Sequence, residues 1–386
     1  MKVCDLTQFY SPLSGGVKRY LEEKRKYAFT NGHQHLLIIP GKQNERSESA
    51  EGTTYCIASP LVSKTSRYRA LLNLNAVEQI LEREKPDVIE SSDPYQLAWK
   101  AIASGEALRI PVVGFYHSHF PEAYVRTTMK YLGQTAVKIV MEIAKNYVCS
   151  LYNRFRCTFV PSQGLADRLK DWGVENLVLC ELGVDTKMFR PAPDKRITRA
   201  ELNVPEDCIL LLYVGRLAAE KNVKTLQKAF SLLCEKAPNR FHLLVVGDGY
   251  YRDQLVVLQK ETQAVTWLRY CSEQESLAKI YRAADLFVHP SVQETFGLVA
   301  LESQACGTPV VGIRGSYMDR IIFADQSCWA DENSPESLAN AIETLSKTDL
   351  EVAGAKASCR VTTRYAWNSV FERMFSAYEN VAAGKT

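Results

Sequence analysis

At 386 residues, 46% of them hydrophobic and 24% charged, the chain is longer than one core usually serves and reads as an ordinary soluble protein of two domains. With a net charge of +3 and no apolar run near the roughly 20 residues that span a bilayer, neither a nucleic-acid partner nor a membrane-crossing helix is expected. Eleven cysteines, an odd number with no Cys-x-x-Cys pair, argue against a disulfide framework or a zinc site and for a reducing cytosol. No signal peptide is expected ahead of the first strand, and a cytoplasmic location follows.

Lys2 to Leu6 predict that first strand. Ser11-Pro12-Leu13-Ser14-Gly15-Gly16 then opens a helix carrying Val17, Tyr20, Leu21 and Ala28 on an apolar side. Gly15 and Gly16 permit a close backbone approach to a ligand. Further strands are expected near 35–40, 87–91, 111–116 and 157–161. The strand at 111–116 ends in His117-Ser118-His119, and no nearby Cys or carboxylate set completes a metal cluster around that pair. Read as a helix, Leu132, Ala136, Val140, Ile143 and Tyr147 share one face, with Lys130, Lys138 and Lys145 roughly opposite. Together with Arg126, Arg154 and Arg156 these lysines carry much of the charge asymmetry, 23 Lys and Arg against 18 Asp and Glu over residues 1–180 but 24 against 26 beyond. Two readings stand: a helix lying on an anionic membrane surface, or a core-packed helix with a solvated basic face.

Leu182-Gly183-Val184-Asp185 through Pro191 suits a connector, and strands are expected near 177–181, 209–214, 241–247, 264–268, 285–289 and 308–313 as the second half's set. Strands alternating with amphipathic helices in both halves predict two parallel-sheet domains, residues 1–182 and 183–366. The apolar run Ile209 to Val214 leads into Gly215-Arg216-Leu217-Ala218-Ala219-Glu220-Lys221-Asn222. A guanidinium fork and an ammonium point charge at a strand's end suit the oxygens of a pyrophosphate. Gly247-Asp248-Gly249 could begin a dinucleotide fingerprint, but Arg252 holds the third glycine's position. Beyond the strand at 285–289, seven residues separate Glu294 from Glu302, with Thr295, Phe296, Gly297 and Leu298 following the first acid into a helix. That spacing sets both carboxylates on nearly one face. The amides of Phe296, Gly297 and Leu298 would point out of the helix entrance, where the dipole favours an anion. Ligands of open α/β sheets collect at this carboxyl edge.

The strand, the loop and the helix running to Gly307-Thr308-Pro309-Val310-Val311 resemble the nucleotide-sugar signature of the retaining glycosyltransferases of family 4. The resemblance covers essentially the whole chain. It implies the GT-B fold, two Rossmann-like parallel-sheet domains facing a central cleft, with residues 367–386 a helix returning to the first domain. It implies that Arg216 and Lys221 neutralise the diphosphate leaving group, that Glu294 accepts hydrogen bonds from the transferred sugar and Glu302 from the ribose, and that Gly15 and Gly16 lie near the donor phosphate and the acceptor. His117 aligns with a functional strand-end histidine, while His119 stands where the family usually has Asp. Thr295, Phe296, Gly297 and Leu298 belong to the same donor-binding segment.

The activity so implied is transfer of a hexosyl group, with retention, from a UDP- or GDP-linked sugar to a hydroxyl of a glycolipid, lipid or sugar acceptor. No Asp-x-Asp occurs to bridge a metal to the diphosphate, so no cofactor and no metal are expected. For a lipid acceptor, the basic helix would give peripheral association with an anionic membrane on its cytoplasmic face. Two other classes stay open: a non-hydrolysing nucleotide-sugar epimerase, for which the additional acids and bases are not identifiable, and a catalytically silent sugar-nucleotide-binding protein.

Overall fold

The apolar runs of both halves become short strands lying side by side and in parallel, because each is followed by an amphipathic helix that carries the chain back across the sheet. The computed structural model describes residues 1–384 except 9, 11–15, 63–67, 118–133, 272, 293, 295, 317 and 319. The chain divides into two units, Met1–Leu182 with Trp367–Thr386, and Gly183–Ala366.

In the first unit the strands are β1 (Lys2–Leu6), β2 (Gln34–Gly41), β3 (Glu45–Ser49), β4 (Gly52–Ala58), β5 (Val88–Ser91), β6 (Val112–Phe115), β7 (Thr158–Val160) and β8 (Leu177–Leu179). They lie in the order β3-β4-β2-β1-β5-β6-β7-β8, parallel apart from the β3–β4 hairpin. β8, counted with the second half in the sequence reading, pairs with β7 and closes the first sheet. The hairpin was not expected: every residue of β3 is exposed, so its sequence shows neither an apolar run nor alternation.

One face of this sheet packs Cys4, Leu6, Leu36, Ile38 and Ile89 against Val77, Leu81, Leu97 and Ala101 of the helices Leu74–Glu84 and Gln96–Leu108. The other face is charged at its centre. Lys24, from the helix Gly16–Thr30, reaches Asp5 of β1 at 2.8 Å and Glu90 of β5 at 3.2 Å, all three side chains fully buried. Tyr20 and Tyr378 donate their hydroxyls to the two oxygens of Glu90, and His35 Nε2 meets Asp5 at 2.5 Å. Tyr378 comes from the last helix, Trp367–Ala382, whose Trp367, Phe371 and Phe375 pack their rings at a tilt against Tyr20, Tyr27 and His33. The chain's final helix is thus fastened to the first sheet by both aromatic packing and a shared buried carboxylate.

The second unit's strands are β9 (Ile209–Val214), β10 (Phe241–Val246), β11 (Val265–Leu268), β12 (Leu286–Val288) and β13 (Val310–Val311), all parallel, in the order β11-β10-β9-β12-β13. The order turns around at β9: the chain leaves β9 for β10 on one side, and leaves β12 for β13 on the other. Loops on either side of such a switch point diverge and open a crevice at the carboxyl edge.

Candidate active site

The switch point of the second unit brings the two strongest sequence features together. The loop after β9 and the loop after β12 touch at three places. Lys221 Nζ lies 2.5 Å from Glu294 Oε2, Asn222 Nδ2 donates to the Pro290 carbonyl at 2.8 Å, and Ser291 Oγ donates to the Glu220 carbonyl at 3.2 Å. Asn222 can make its bond because its backbone is left-handed (φ 54°), a conformation that asparagine tolerates better than most residues.

Glu294 is mostly buried, and burial alone would raise its pKa. Against burial, the Lys221 charge and hydrogen bond together with His289 and Arg216 hold the carboxyl below its ordinary value, ionised at neutral pH. The result is a carboxylate with acceptor capacity beside an ammonium with donors to spare. Arg216 is different: its side chain is 73% exposed and its ion-pair partner is Glu220 at 3.2 Å, four residues on. It stands exposed at the edge of the loop. Tyr213 of β9 donates its hydroxyl to the Arg216 carbonyl and fixes the loop's start.

Gly297 caps the helix Leu298–Ala305 in the left-handed region (φ 81°), and a Cβ there would run into the Met318 thioether. The glycine thus lets the turn form and lets Met318 cover it. Phe296 is buried with its ring against Tyr365, which anchors the turn, and Leu298 begins the helix, where the first amides have no carbonyl within it. Thr295 lies outside the described residues. Glu302, the fifth residue of that helix, is 2% exposed and accepts the Tyr281 hydroxyl at 2.9 Å. The two acids therefore differ in setting, Glu294 at the loop junction and Glu302 deeper beneath it.

His289, at the end of β12, was passed over in the sequence. It is buried, burial pushes its pKa down to about 4, and its Nδ1 has no hydrogen-bond partner among the described residues. Glu294 and Lys221 both contribute to its electrostatic surroundings, so a neutral imidazole belongs to the same site. Nothing in its local sequence marks it, since a strand-end histidine is as often held by backbone.

At the carboxyl edge of the first unit, the His117 ring stacks on Phe115 (centroids 3.8 Å apart) and receives the edge of Tyr20 at 5.0 Å. Burial pushes its pKa down to about 3, and its Nε2 is buried without a partner among the described residues. On neighbouring strand ends the Gln8 Oε1, Ser91 Oγ, Ser92 Oγ and Ser162 Oγ atoms are likewise buried without partners among the described residues. Asp93 accepts from the Gln8 and Tyr95 amides, yet burial raises its pKa to about 6. Each orphaned polar atom costs about 1–3 kcal/mol, so their collection on one edge points to groups kept for a ligand or for ordered water. Gly16 starts the helix after β1; Gly15 and His119 lie outside the described residues.

Comparison with known proteins now adds to this geometry. Residues 14–188 match the family described as Glycosyltransferase Family 4, and residues 194–358 match Glycosyl transferases group 1. The GDP-mannose-dependent alpha-(1-6)-phosphatidylinositol dimannoside mannosyltransferase of Mycobacterium tuberculosis is 31% identical over 348 residues, 89% of this chain and 87% of that protein. The chain belongs to glycosyltransferase family 4. Another relative of this glycosyltransferase, the GDP-mannose-dependent alpha-mannosyltransferase of Corynebacterium glutamicum, is 26% identical over 83% of this chain and 74% of its own length. Among solved structures, sucrose-phosphate synthase from Thermosynechococcus elongatus superposes with a TM-score of 0.77 at 22% identity, covering all of both chains. Anabaena HepE in complex with UDP and glucose gives 0.71 at 17% identity, over 98% of this chain and all of the other. These likenesses establish the GT-B fold. The helix Gln134–Tyr152 departs from the sequence reading: only Val148, Leu151 and Tyr152 are buried, while Ile143, assigned to the packed face, is 63% exposed and Ile139 57%. Leu132 and Lys130 lie outside the described residues.

Proposed function

We propose that this glycosyltransferase moves a hexosyl group, with retention and without a metal, from a nucleotide diphosphate sugar bound by the second unit to an acceptor hydroxyl. The observation that carries the reading is the Lys221–Glu294 pair, which joins the phosphate-suited loop after β9 to the sugar-suited acid after β12. Given the GDP-mannose-dependent relatives, GDP-mannose is the first donor to test, with UDP sugars beside it.

Glu294, already ionised, accepts hydrogen bonds from hydroxyls of the transferred sugar. Lys221 turns its remaining donors to the diphosphate, and Arg216 swings in from solvent. Both charges gain most when the sugar–phosphate bond breaks, which lowers the barrier more than it tightens binding. Glu302 accepts from the ribose, with Tyr281 holding its other side. Among the residues of the first unit, His117, Gln8, Ser91, Ser92 and Ser162 offer neutral donors and acceptors to acceptor hydroxyl groups. The two exposed isoleucines of Gln134–Tyr152, on the same helix as Lys138 and Lys145, support peripheral contact with an anionic membrane. Among the described residues no helix is long and apolar enough to cross one.

The test is transfer from GDP-mannose or a UDP sugar in excess EDTA, with the product's anomeric configuration read by NMR. Metal-independent transfer with retention is expected. Activity lost to EDTA and restored by magnesium or manganese would overturn metal independence, and an inverted product would overturn retention.

A further inference from the structure

A basic hollow lies at the amino edge of the first sheet, away from every residue given a donor or acceptor role above. Three stretches converge there. The helix Gln96–Leu108 ends in Arg109, whose left-handed backbone (φ 58°) turns the chain into Ile110, Pro111 and β6. The turn Arg154-Phe155-Arg156 leads into β7, and Val381, Ala382 and Gly384 close the end of the last helix. Between them is a cavity of about 500 Å³. Gly105 makes room at its base, since a Cβ there would collide with Val112. Arg109, Arg154 and Arg156 all line it, against a single carboxylate, Glu106, while Phe155 and Val381 supply apolar wall.

Among the described residues, no carboxylate lies in salt-bridge range of the three guanidiniums; Arg156 instead donates to the Gly384 carbonyl at 3.4 Å. Three like charges around one hollow repel each other, and a multivalent anion relieves that repulsion while accepting several N–H donors. Guanidinium forks match phosphate oxygens two at a time. The volume exceeds what a bare phosphate fills and falls within the range of small-molecule pockets, and the apolar wall suits an attached organic group. We infer that this cavity binds a phosphate ester, by the three arginines, and that the ligand ties the end of the last helix to the loops before β6 and β7. His117 and the orphaned hydroxyls stand at the opposite, carboxyl ends of these strands, so the ligand is an effector or an anchor and not the substrate.

The ester could be soluble or a lipid headgroup, and the experiment separates these. Hydrogen exchange of the full chain is followed with inorganic phosphate, glycerol phosphate, and vesicles with or without phosphatidylglycerol, at matched ionic strength in chloride. Glycerol phosphate should slow exchange in peptides covering 102–112 and 376–384, and more strongly than inorganic phosphate does. Arg154→Gln with Arg156→Gln, or Arg109→Gln alone, should weaken this by about tenfold or more, as loss of a charge-assisted hydrogen bond predicts. Affinity for the nucleotide sugar, and protection of 215–222, should stay as in the wild type. Arginine-dependent vesicle binding that glycerol phosphate competes away would assign the site to a headgroup; the soluble ester acting alone would assign it to a soluble effector. Equal protection in the variants, or no protection beyond that of chloride, would overturn the site.

Discussion

Each unit holds a lysine against carboxylates beside its central strand, and the two clusters differ in what surrounds them. In the first unit Lys24, Asp5 and Glu90 are sealed, with their oxygens taken up by Tyr20, His35 and Tyr378. In the second, Lys221 and Glu294 keep 26% and 17% of their side chains exposed, at the end where loops diverge. A sealed cluster has no coordination to offer and can only hold elements together. An open one retains unused donors and acceptors, and a ligand can supply the rest. The same ion pair is thus a fastener in one setting and a binding group in the other.

The largest expected effect breaks the fastener. Lys24→Ala leaves two acids buried without their counter-charge and should destabilise the first unit by about 3 to 5 kcal/mol, read by urea unfolding. A midpoint equal to wild type would show that the cluster is not a fastener. Lys221→Ala should do the reverse, lowering kcat by about 10²- to 10³-fold while moving donor affinity and the unfolding midpoint much less. Arg216→Ala should weaken both turnover and binding. Wild-type turnover in both variants would remove the phosphate clamp. Glu302→Ala should weaken nucleotide binding by about 1.5 to 3 kcal/mol if it meets the ribose. Equal affinity for ribose and 2′,3′-dideoxyribose donors would reassign it to holding Tyr281.

The smallest effect sharpens the comparison by pH. Burial raises Glu90 to about 7, although Lys24 opposes the shift. An acid whose folded pKa is raised contributes stability that is complete below its unfolded value near 4.5 and is lost as pH rises through 7. Unfolding by urea should therefore become easier as pH rises from about 4.5 to 7, and Glu90→Gln should flatten that slope. Glu294 has the opposite sign, held below its ordinary value, so its contribution is lost only as pH falls through the acid range. An unchanged slope in Glu90→Gln would assign the titration elsewhere.

The parallel-sheet architecture was legible because strands such as Ile209–Val214 and Leu243–Val246 carry continuous apolar runs, buried on both faces. The β3–β4 hairpin was not, since its outer strand is wholly solvated. Glu294 and Lys221 could each be singled out, but the bond between them spans 73 residues and depends on β9 lying next to β12, which local sequence does not state. Tyr281 beneath Glu302 and the orphaned His289 were hidden for the same reason. The sealed cluster had left a trace: Lys24 lies four residues from both Tyr20 and Ala28, inside the apolar stripe of its helix, and Asp5 and Glu90 each follow an apolar pair in a strand, Val3-Cys4 and Val88-Ile89. A charge on a buried face asks for a partner on another buried face, and pairing those three would have predicted the contact.

The open cluster's role as the donor site is tested most directly by calorimetric titration of GDP-mannose and UDP sugars into the wild type and Glu294→Ala. Saturable binding of one nucleotide sugar to the wild type, weakened by about tenfold or more in the variant at an unchanged unfolding midpoint, is the expected result. A nucleotide sugar bound equally well by both proteins would contradict it.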